Sequence, residues 1–154
     1  MVGEIGVDVN MGNIIIGEES YLDLKKVDLW GCDMGSCDLV IKAMADGIKL
    51  GHKFPLGYVT KISENEYYLL GDANHRSLAH DFGGVPFPCK VVNENYIELK
   101  FRRNLLNSIP LVSFDFLNRS HQVKLKRSLE FLPPEVAQNF CLEHELNSKY
   151  FLSQ

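Results

Sequence analysis

The apolar residues between positions 37 and 50 recur at the three- and four-residue spacing of one helix face. They are Val40, Ala43, Met44, Gly47 and Ile48. Ser36 stands where an N-cap is expected, and Asp38 falls in the first turn, where the helix dipole favours an acid. Gly51 is placed to end the helix. The pattern predicts a helix from about Cys37 to Leu50.

Short runs rich in β-branched and aromatic residues predict strands on either side of this helix. The runs are residues 13–16, 56–62, 67–70, 85–92 and 95–101. The polar segment "SENE" separates the second run from the third and predicts a hairpin turn. The prolines at 86 and 88 favour an edge position or an irregular start for the fourth strand.

Two further helices are expected. The first begins at Asn74 or His75 and stops at the glycine pair 83–84. The second begins at Pro133–Pro134, after which several residues share one helix face. Those residues are Ala137, Phe140, Cys141 and His144.

Composition narrows the class of protein. The 154 residues, of which 45% are apolar and 23% charged, are typical of one globular domain. No apolar run approaches the length of a membrane span, and the N-terminus lacks the basic start and apolar block of a secretory signal. We therefore expect a cytoplasmic protein with no membrane partner; the sequence does not predict an oligomeric state.

The four cysteines raise the question of a zinc site. Cys32 and Cys37 form one loose pair, with His52, Cys89 and His144 as conceivable partners. Structural zinc sites normally show two tight ligand pairs, so free, semi-buried thiols in a reducing compartment are the favoured interpretation.

Positive charge is concentrated in one part of a chain whose net charge is −4. Residues 100–127 contain a single acid, Asp115, and seven basic residues: Lys100, Arg102, Arg103, Arg119, Lys124, Lys126 and Arg127. A solvated face is the commoner meaning of such a run, and contact with phosphates is the alternative.

The stretch "GDANHRSLA" places several polar groups where a strand gives way to a helix. Helix-start N–H groups attract anions, and Arg76 can bind phosphate with two nitrogens. His75 can donate to an anion or move a proton, and Ser77 adds a hydroxyl. Asp72 can bind a metal ion, accept a proton or cap the helix. An alternative stays open, in which Asp72 is only a cap, His75 borders the core and Arg76 pairs with Asp72 or Asp81.

The segment "ENEYYLLGDANHRSLAHDFGGVPFPCKVV" resembles the core of the ParB/sulfiredoxin superfamily. That core has a strand, Asp-Gly-any-His-Arg or a variant, a short helix containing an alanine, a glycine, and a strand introduced by a proline. The matching residues are Asp72, Asn74, His75, Arg76, Ala79, Gly83 and Pro86. The upstream helix and strand are also similar, so the resemblance covers roughly residues 13–95.

The resemblance implies a compact α+β domain with a small mixed sheet, short helices and a helical C-terminal tail. Residues 1–100 would form the nucleotide-binding core. Residues 101–154 would form an extension, first basic and then helical, packed on the same domain.

The implied activity is nucleotide-dependent phosphoryl transfer or hydrolysis, with ATP, ADP or CTP and Mg²⁺ as cofactors. Asn74, His75, Arg76 and Ser77 would hold the phosphates. Asp72 would contact the metal ion or the accepting hydroxyl of a small-molecule or protein acceptor. Glu18, with Glu19 beside it, is the candidate for the acid near the start of the chain that completes the base function, and a solvated glutamate pair is the alternative.

The branches of the superfamily differ at these positions. Sulfiredoxins need a cysteine where this chain has Asn74, and partition ParB proteins carry an arginine where it has His75. Free-serine kinases have the most similar motif, although Ala73 replaces its glycine. A domain that keeps this fold without catalysis is therefore a further possibility.

Two other functions are alternatives. A ParB-like DNA-binding or nuclease module would use Arg102, Arg103, Lys124 and Lys126 on phosphates. The same stretch is also similar to the late box of type I signal peptidases, but the serine, lysine and membrane anchor of those enzymes have no convincing counterpart.

Overall fold

The structure, a computed structural model, describes residues 14–31, 36–71, 73–94, 103–105 and 111–152. The strands in these ranges are β1 (Ile14–Leu22), β2 (Asp28–Gly31), β3 (Gly57–Ser63), β4 (Glu66–Leu70), β5 (Phe87–Glu94) and β6 (Arg103–Asn104). They form one mixed sheet in the order β1-β5-β3-β4-β2-β6. The β5–β3 and β4–β2 pairs are parallel, and the other three pairs are antiparallel.

The helices in the same ranges are α1 (Asp38–Lys49), α2 (Asn74–Gly83), α3 (Arg119–Leu129), α4 (Pro134–Glu143) and α5 (Ser148–Phe151). Helix α1 packs against both α2 and α3. One cluster of buried apolar side chains joins all five helices, with Ile41, Leu78, Leu125, Phe140 and Phe151 as one member from each. The helices that follow residue 118 therefore share a core with α1 and α2. The α+β class, the mixed sheet and the helical C-terminal tail are as predicted.

A second buried cluster covers one face of the sheet. Strand alternation points Leu29, Val59, Leu69 and Phe87 to this face from four different strands. Helix α2 is tied to this cluster, because the ring of His80 lies 5.5 Å from that of Phe87 in a T-shaped contact. The end of α2 is thereby held against the sheet, and its N-cap residue Ala73 is buried in the same cluster.

The predicted hairpin, helix α2 and the tail helix are confirmed, and Gly51 and Gly84 adopt the positive φ expected at helix ends. The prediction of Ser36 as N-cap of α1 is wrong. The carbonyl of Ser36 accepts the N–H of Val112, Cys37 forms a parallel bridge with Val112, and Cys37 is the N-cap.

Strand β5 lies inside the sheet, between β1 and β3, and not at an edge. Its pairing with β3 begins only at Cys89, whereas Pro88 pairs with Tyr21 of β1 alone. Pro88 therefore stands where the strand has a neighbour on one side, and Pro86 precedes the strand, which is the irregular start that they predicted. The predicted strand at 95–101 lies outside the described residues, and no pattern had predicted β2 or α3.

Three of the cysteines, Cys37, Cys89 and Cys141, are free thiols buried in the protein, and burial raises the pKa of Cys89 to about 11. Cys32 lies outside the described residues. Among the helices of the described ranges, none has the length and apolarity that crossing a bilayer requires.

We expect Gly57→Ala to destabilise the protein by roughly 1–3 kcal/mol, because an added methyl group would overpack the core. A Cβ at Gly57 would lie 2.6 Å from Cζ of Phe87, a buried ring with no room to move. Urea unfolding measures the change. Gly83→Ala is the matched control, since a Cβ there meets nothing within 4 Å and should stabilise the end of α2 by roughly 0.5 kcal/mol. Equal effects of the two substitutions would contradict the packing argument.

We expect the free energy of unfolding to fall as the pH is lowered from 7.5 to 5.5, in part through His80. Burial lowers the pKa of this histidine from its ordinary value of 6.5. Below 6.5 the unfolded chain therefore binds a proton that the folded protein does not, and stability is lost. His80→Asn should flatten this dependence, whatever its effect at pH 7.5. Parallel pH profiles for the two proteins would show that His80 is not responsible.

Candidate functional site

The first turn of α2 carries the residues that the sequence singled out. The guanidinium of Arg76 donates a hydrogen bond of 2.7 Å to the carbonyl of Pro55, which directs this side chain away from Asp81. The hydroxyl of Ser77 is buried and donates to the carbonyl of Asn74 at 2.9 Å. Ala73, the N-cap residue, has no side-chain oxygen to accept the N–H groups of this turn.

His75 connects the starts of two helices. Its Nε2 accepts the backbone N–H of Cys37 at 3.0 Å, so α2 and α1 begin beside each other. An accepting ring nitrogen carries no proton, which places the proton of the neutral imidazole on Nδ1. His75 therefore holds the backbone of Cys37 in place, and it also lines a cleft that is described below.

Asp38 fastens the chain after residue 110 to the start of α1. Its Oδ1 accepts the N–H of Leu39 at 2.6 Å and the N–H of Phe114 at 3.1 Å. The backbone N–H of Asp38 donates to the carbonyl of Val112 at 2.9 Å. Sequence reasoning assigned Asp38 only to the helix dipole and missed this long-range partner. These bonds hold residues 112–114 beside the start of α1, and the chain then continues into α3, which packs on α1.

A cleft of about 310 Å³ opens between α1, α2, α3 and residues 54–55. Its basic lining residues are His75 and Arg76 from α2 and Lys124 and Arg127 from α3. None of its lining residues is acidic. In the part of the chain that the structure describes, Arg76, Lys124 and Arg127 make no ion pair. Cations that converge without a counter-charge favour an anionic ligand.

The other side of the cleft is apolar and aromatic. Phe131 is 44% exposed and stacks on His52, with ring centroids 4.1 Å apart and an interplanar angle of 26°. Phe54 meets both rings edge-on, at 4.5 Å from His52 and 5.3 Å from Phe131. Val40 and Met44 complete the apolar lining. The cleft therefore offers a flat ring surface beside its positive charge.

The predicted site residues have different outcomes. The cleft brings His75 and Arg76 together with Lys124, which belonged to the alternative DNA-binding set. Lys126 points elsewhere, with its ammonium 4.9 Å from the centre of the Tyr150 ring. Asn74 and Ser77 lie on the first turn of α2 but not among the lining residues of the cleft.

The remaining predictions are not addressed by the structure. Asp72 and Arg102 lie outside the described residues. Glu18 in β1 and Arg103 in β6 have described backbone, but their side chains are not described. The catalytic assignments of Asp72 and Glu18 and the DNA-binding alternative stay predictions.

Seven of the ten lining residues were not named as site residues from the sequence, and the charged and aromatic ones among them are Phe54, Arg127 and Phe131. Lys124 and Arg127 are three residues apart, which puts them on one helix face. The pattern would have revealed this pair if residues 119–129 had been recognised as a helix, whereas Phe131 follows the end of that helix. That helix lacks the regular apolar stripe on which the prediction depended.

The predicted Mg²⁺ does not find its preferred ligands in the described lining of the cleft. Magnesium binds carboxylate and phosphate oxygens, and no lining side chain carries a carboxylate. Within the described ranges, no group of three His, Cys, Asp or Glu side chains could hold a metal ion. Binding of Mg²⁺ stays a prediction, because its proposed ligand Asp72 lies outside the described residues.

Comparison of the chain with protein-family models, with curated proteins and with solved structures found no match. The similarity to the ParB/sulfiredoxin superfamily accordingly stays a prediction from the motif at residues 72–76.

We expect Asp38→Ala to lower the free energy of unfolding by roughly 1.5–3 kcal/mol, because two backbone N–H groups lose a charged acceptor. Urea unfolding followed by circular dichroism measures the loss. Asp38→Asn is the matched control, since its amide oxygen can still accept both bonds, and it should lose less. If both variants unfold like the parent protein, Asp38 does not fasten residue 114 to α1.

Proposed function

We propose that the cleft between α1, α2 and α3 binds a nucleotide. The observation that carries this proposal is the convergence of Arg76, Lys124 and Arg127 beside the exposed ring of Phe131. Two of these cations come from α3 and one from α2, so the tertiary fold, and not one basic run, assembles the set.

The phosphates would lie at the basic end of the cleft. Lys124 and Arg127 are exposed and lie just under one turn apart on α3, and Arg76 lines the same cleft from α2. Each can donate charge-assisted hydrogen bonds to phosphate oxygens, and Arg76 and Arg127 can do so with two nitrogens. Bound phosphate would also relieve the mutual repulsion of these cations.

The base would lie against Phe131. A planar, π-rich ring stacks well on an aromatic side chain, and Phe131 already holds the ring of His52 in this way. A volume of about 310 Å³ is at the lower end for a small-molecule site, so part of a nucleotide would extend into solvent.

Phosphoryl transfer or hydrolysis is the activity that the motif implies for such a site. It would need a carboxylate near the phosphates, for which Asp72, next to α2 in sequence, is the candidate. Nucleotide binding is the part of this function that the cleft itself supports.

Thermal unfolding in the presence of ADP, ATP, CTP and GTP, each with and without Mg²⁺, tests the proposal. A ligand at 100 times its dissociation constant stabilises a folded protein by roughly 2.7 kcal/mol, and a clear rise in Tm is expected for at least one nucleotide. Calorimetric titration should show that Arg127→Gln weakens this nucleotide about tenfold or more. Without ligand, the variant should be as stable as the parent, because Arg127 pairs with no described carboxylate.

Arg119→Gln is the matched control for charge. It removes one exposed arginine from the same helix, outside the cleft, and should leave nucleotide affinity unchanged. The absence of any Tm shift, or an equal loss of affinity in both variants, would rule out this cleft as the nucleotide site.

A further inference from the structure

Helix α3 carries a row of positive charge that continues beyond the cleft. Arg119, Lys126 and Arg127 follow one another at i, i+7 and i+8, which places them on one stripe of the helix, called here the basic row. The buried side chains of α3 include Leu125 and Leu129, which lie on its other side. The basic row begins in the first turn of α3 and reaches the cleft at Arg127, about 12 Å further along the helix axis.

No acidic side chain of α3 interrupts the basic row. Residues 119–129 contain four Lys or Arg and no Asp or Glu. The nearest acids in the sequence, Asp115 and Glu130, stand before and after the helix. Oδ1 of Asp115 accepts the N–H of Leu117, and Glu130 lines a separate groove between α3, α4 and α5. The whole chain has a net charge of −4, so the basic row is a local feature of the surface.

The basic row is longer than one nucleotide in the cleft would use. Arg119 is exposed and, like Arg127, makes no ion pair within the described ranges. A nucleotide bound in the cleft would contact the basic row only at its end, at Arg127. Cations arranged in a line match a ligand whose phosphates repeat along a chain, which a strand of nucleic acid provides.

Exposed aromatic rings accompany the basic row at two places. Phe131, 44% exposed, lines the cleft just after α3 ends. Tyr150 of α5 is 41% exposed, and the ammonium of Lys126 lies 4.9 Å from the centre of its ring. The Tyr150 hydroxyl donates to Oε1 of Gln122 at 3.4 Å, which ties this ring to α3. The bases of an unpaired strand can stack on such rings, whereas a duplex keeps its bases paired inside.

We propose that the nucleotide in the cleft is one unit of a single strand of nucleic acid, whose neighbouring phosphates follow the basic row along α3. This inference rests on the proposed function, since it places one base against Phe131 and one phosphate at Arg127 in the same cleft. The cleft volume of about 310 Å³ leaves part of a nucleotide in solvent, so the strand can continue out of the cleft. Phosphate contacts and stacking do not depend on the sugar, so DNA and RNA strands should bind alike.

Calorimetric titration of the full-length chain with a mixed-sequence DNA strand of about eight nucleotides tests the inference. The strand should bind about tenfold or more tightly than any of the free nucleotides, because it adds phosphate contacts and a second stacked base. The RNA strand of the same sequence should bind equally well. A DNA hairpin duplex with the same number of phosphates should bind more weakly, because its bases are not free to stack.

Arg119→Gln separates the basic row from the cleft. It should weaken strand binding about threefold to tenfold and reduce the slope of log affinity against log salt by about 0.7, which is the contribution of one phosphate contact. Its affinity for a free nucleotide should stay that of the parent, because Arg119 lies outside the cleft. Lys61→Gln is the matched control, since it removes an exposed cation from β3 in the sheet and should change neither affinity.

The possible results distinguish this inference from the proposed function. A free nucleotide that binds as tightly as the strand would overturn the inference and leave the proposed function intact. A hairpin duplex that binds as tightly as the strand would do the same, since the exposed rings would then have no part in recognition. A strand whose affinity is unchanged by Arg127→Gln would overturn both together.

Discussion

The attachment of residues 111–114 to the start of α1 is the constraint on which the rest of this structure depends. Asp38 provides the carboxylate, and the backbone of residues 36–38 provides the paired groups. The attachment holds the segment that leads into α3 against the start of α1. With it, Leu125 and Leu129 enter the core that α1 and α2 have begun, and Lys124 and Arg127 turn toward Arg76. A carboxylate that resembles an ordinary helix-dipole residue thus decides where the basic side chains lie.

The cleft carries positive charge that no acidic side chain among the described residues pairs with. Arg76, Lys124 and Arg127 line it beside apolar side chains such as Met44 and Phe54, and no acid is among its lining residues. A negatively charged ligand would supply the charge that this lining lacks.

Local patterns were enough to predict the elements with strong periodicity or punctuation. Four local features each predict the element in which they occur. They are the apolar stripe of α1, the hairpin turn "SENE", the glycines after α1 and α2, and the proline at the start of α4. The site was predictable only in part. Arg76 stood out because it follows a strand at a helix start, whereas Arg127 and Phe131 gain their meaning from α3 docking on α1. The sequence near α3 does not predict that this helix packs on α1. The helix also has too few apolar positions for its buried face to be predicted from periodicity.

The bond between Phe114 and Asp38 spans 76 positions along the chain. Contacts of such separation close a long loop, and their entropic cost is met only when other native contacts hold the ends in place. Contacts between neighbouring segments are enough to form α1, α2 and the hairpin between them. The cleft also needs α3, which is distant in sequence. During synthesis, α2 is made before α3. The basic cleft is thus a late product of folding, because His75 and Arg76 are in place in the chain before Lys124 and Arg127 are added.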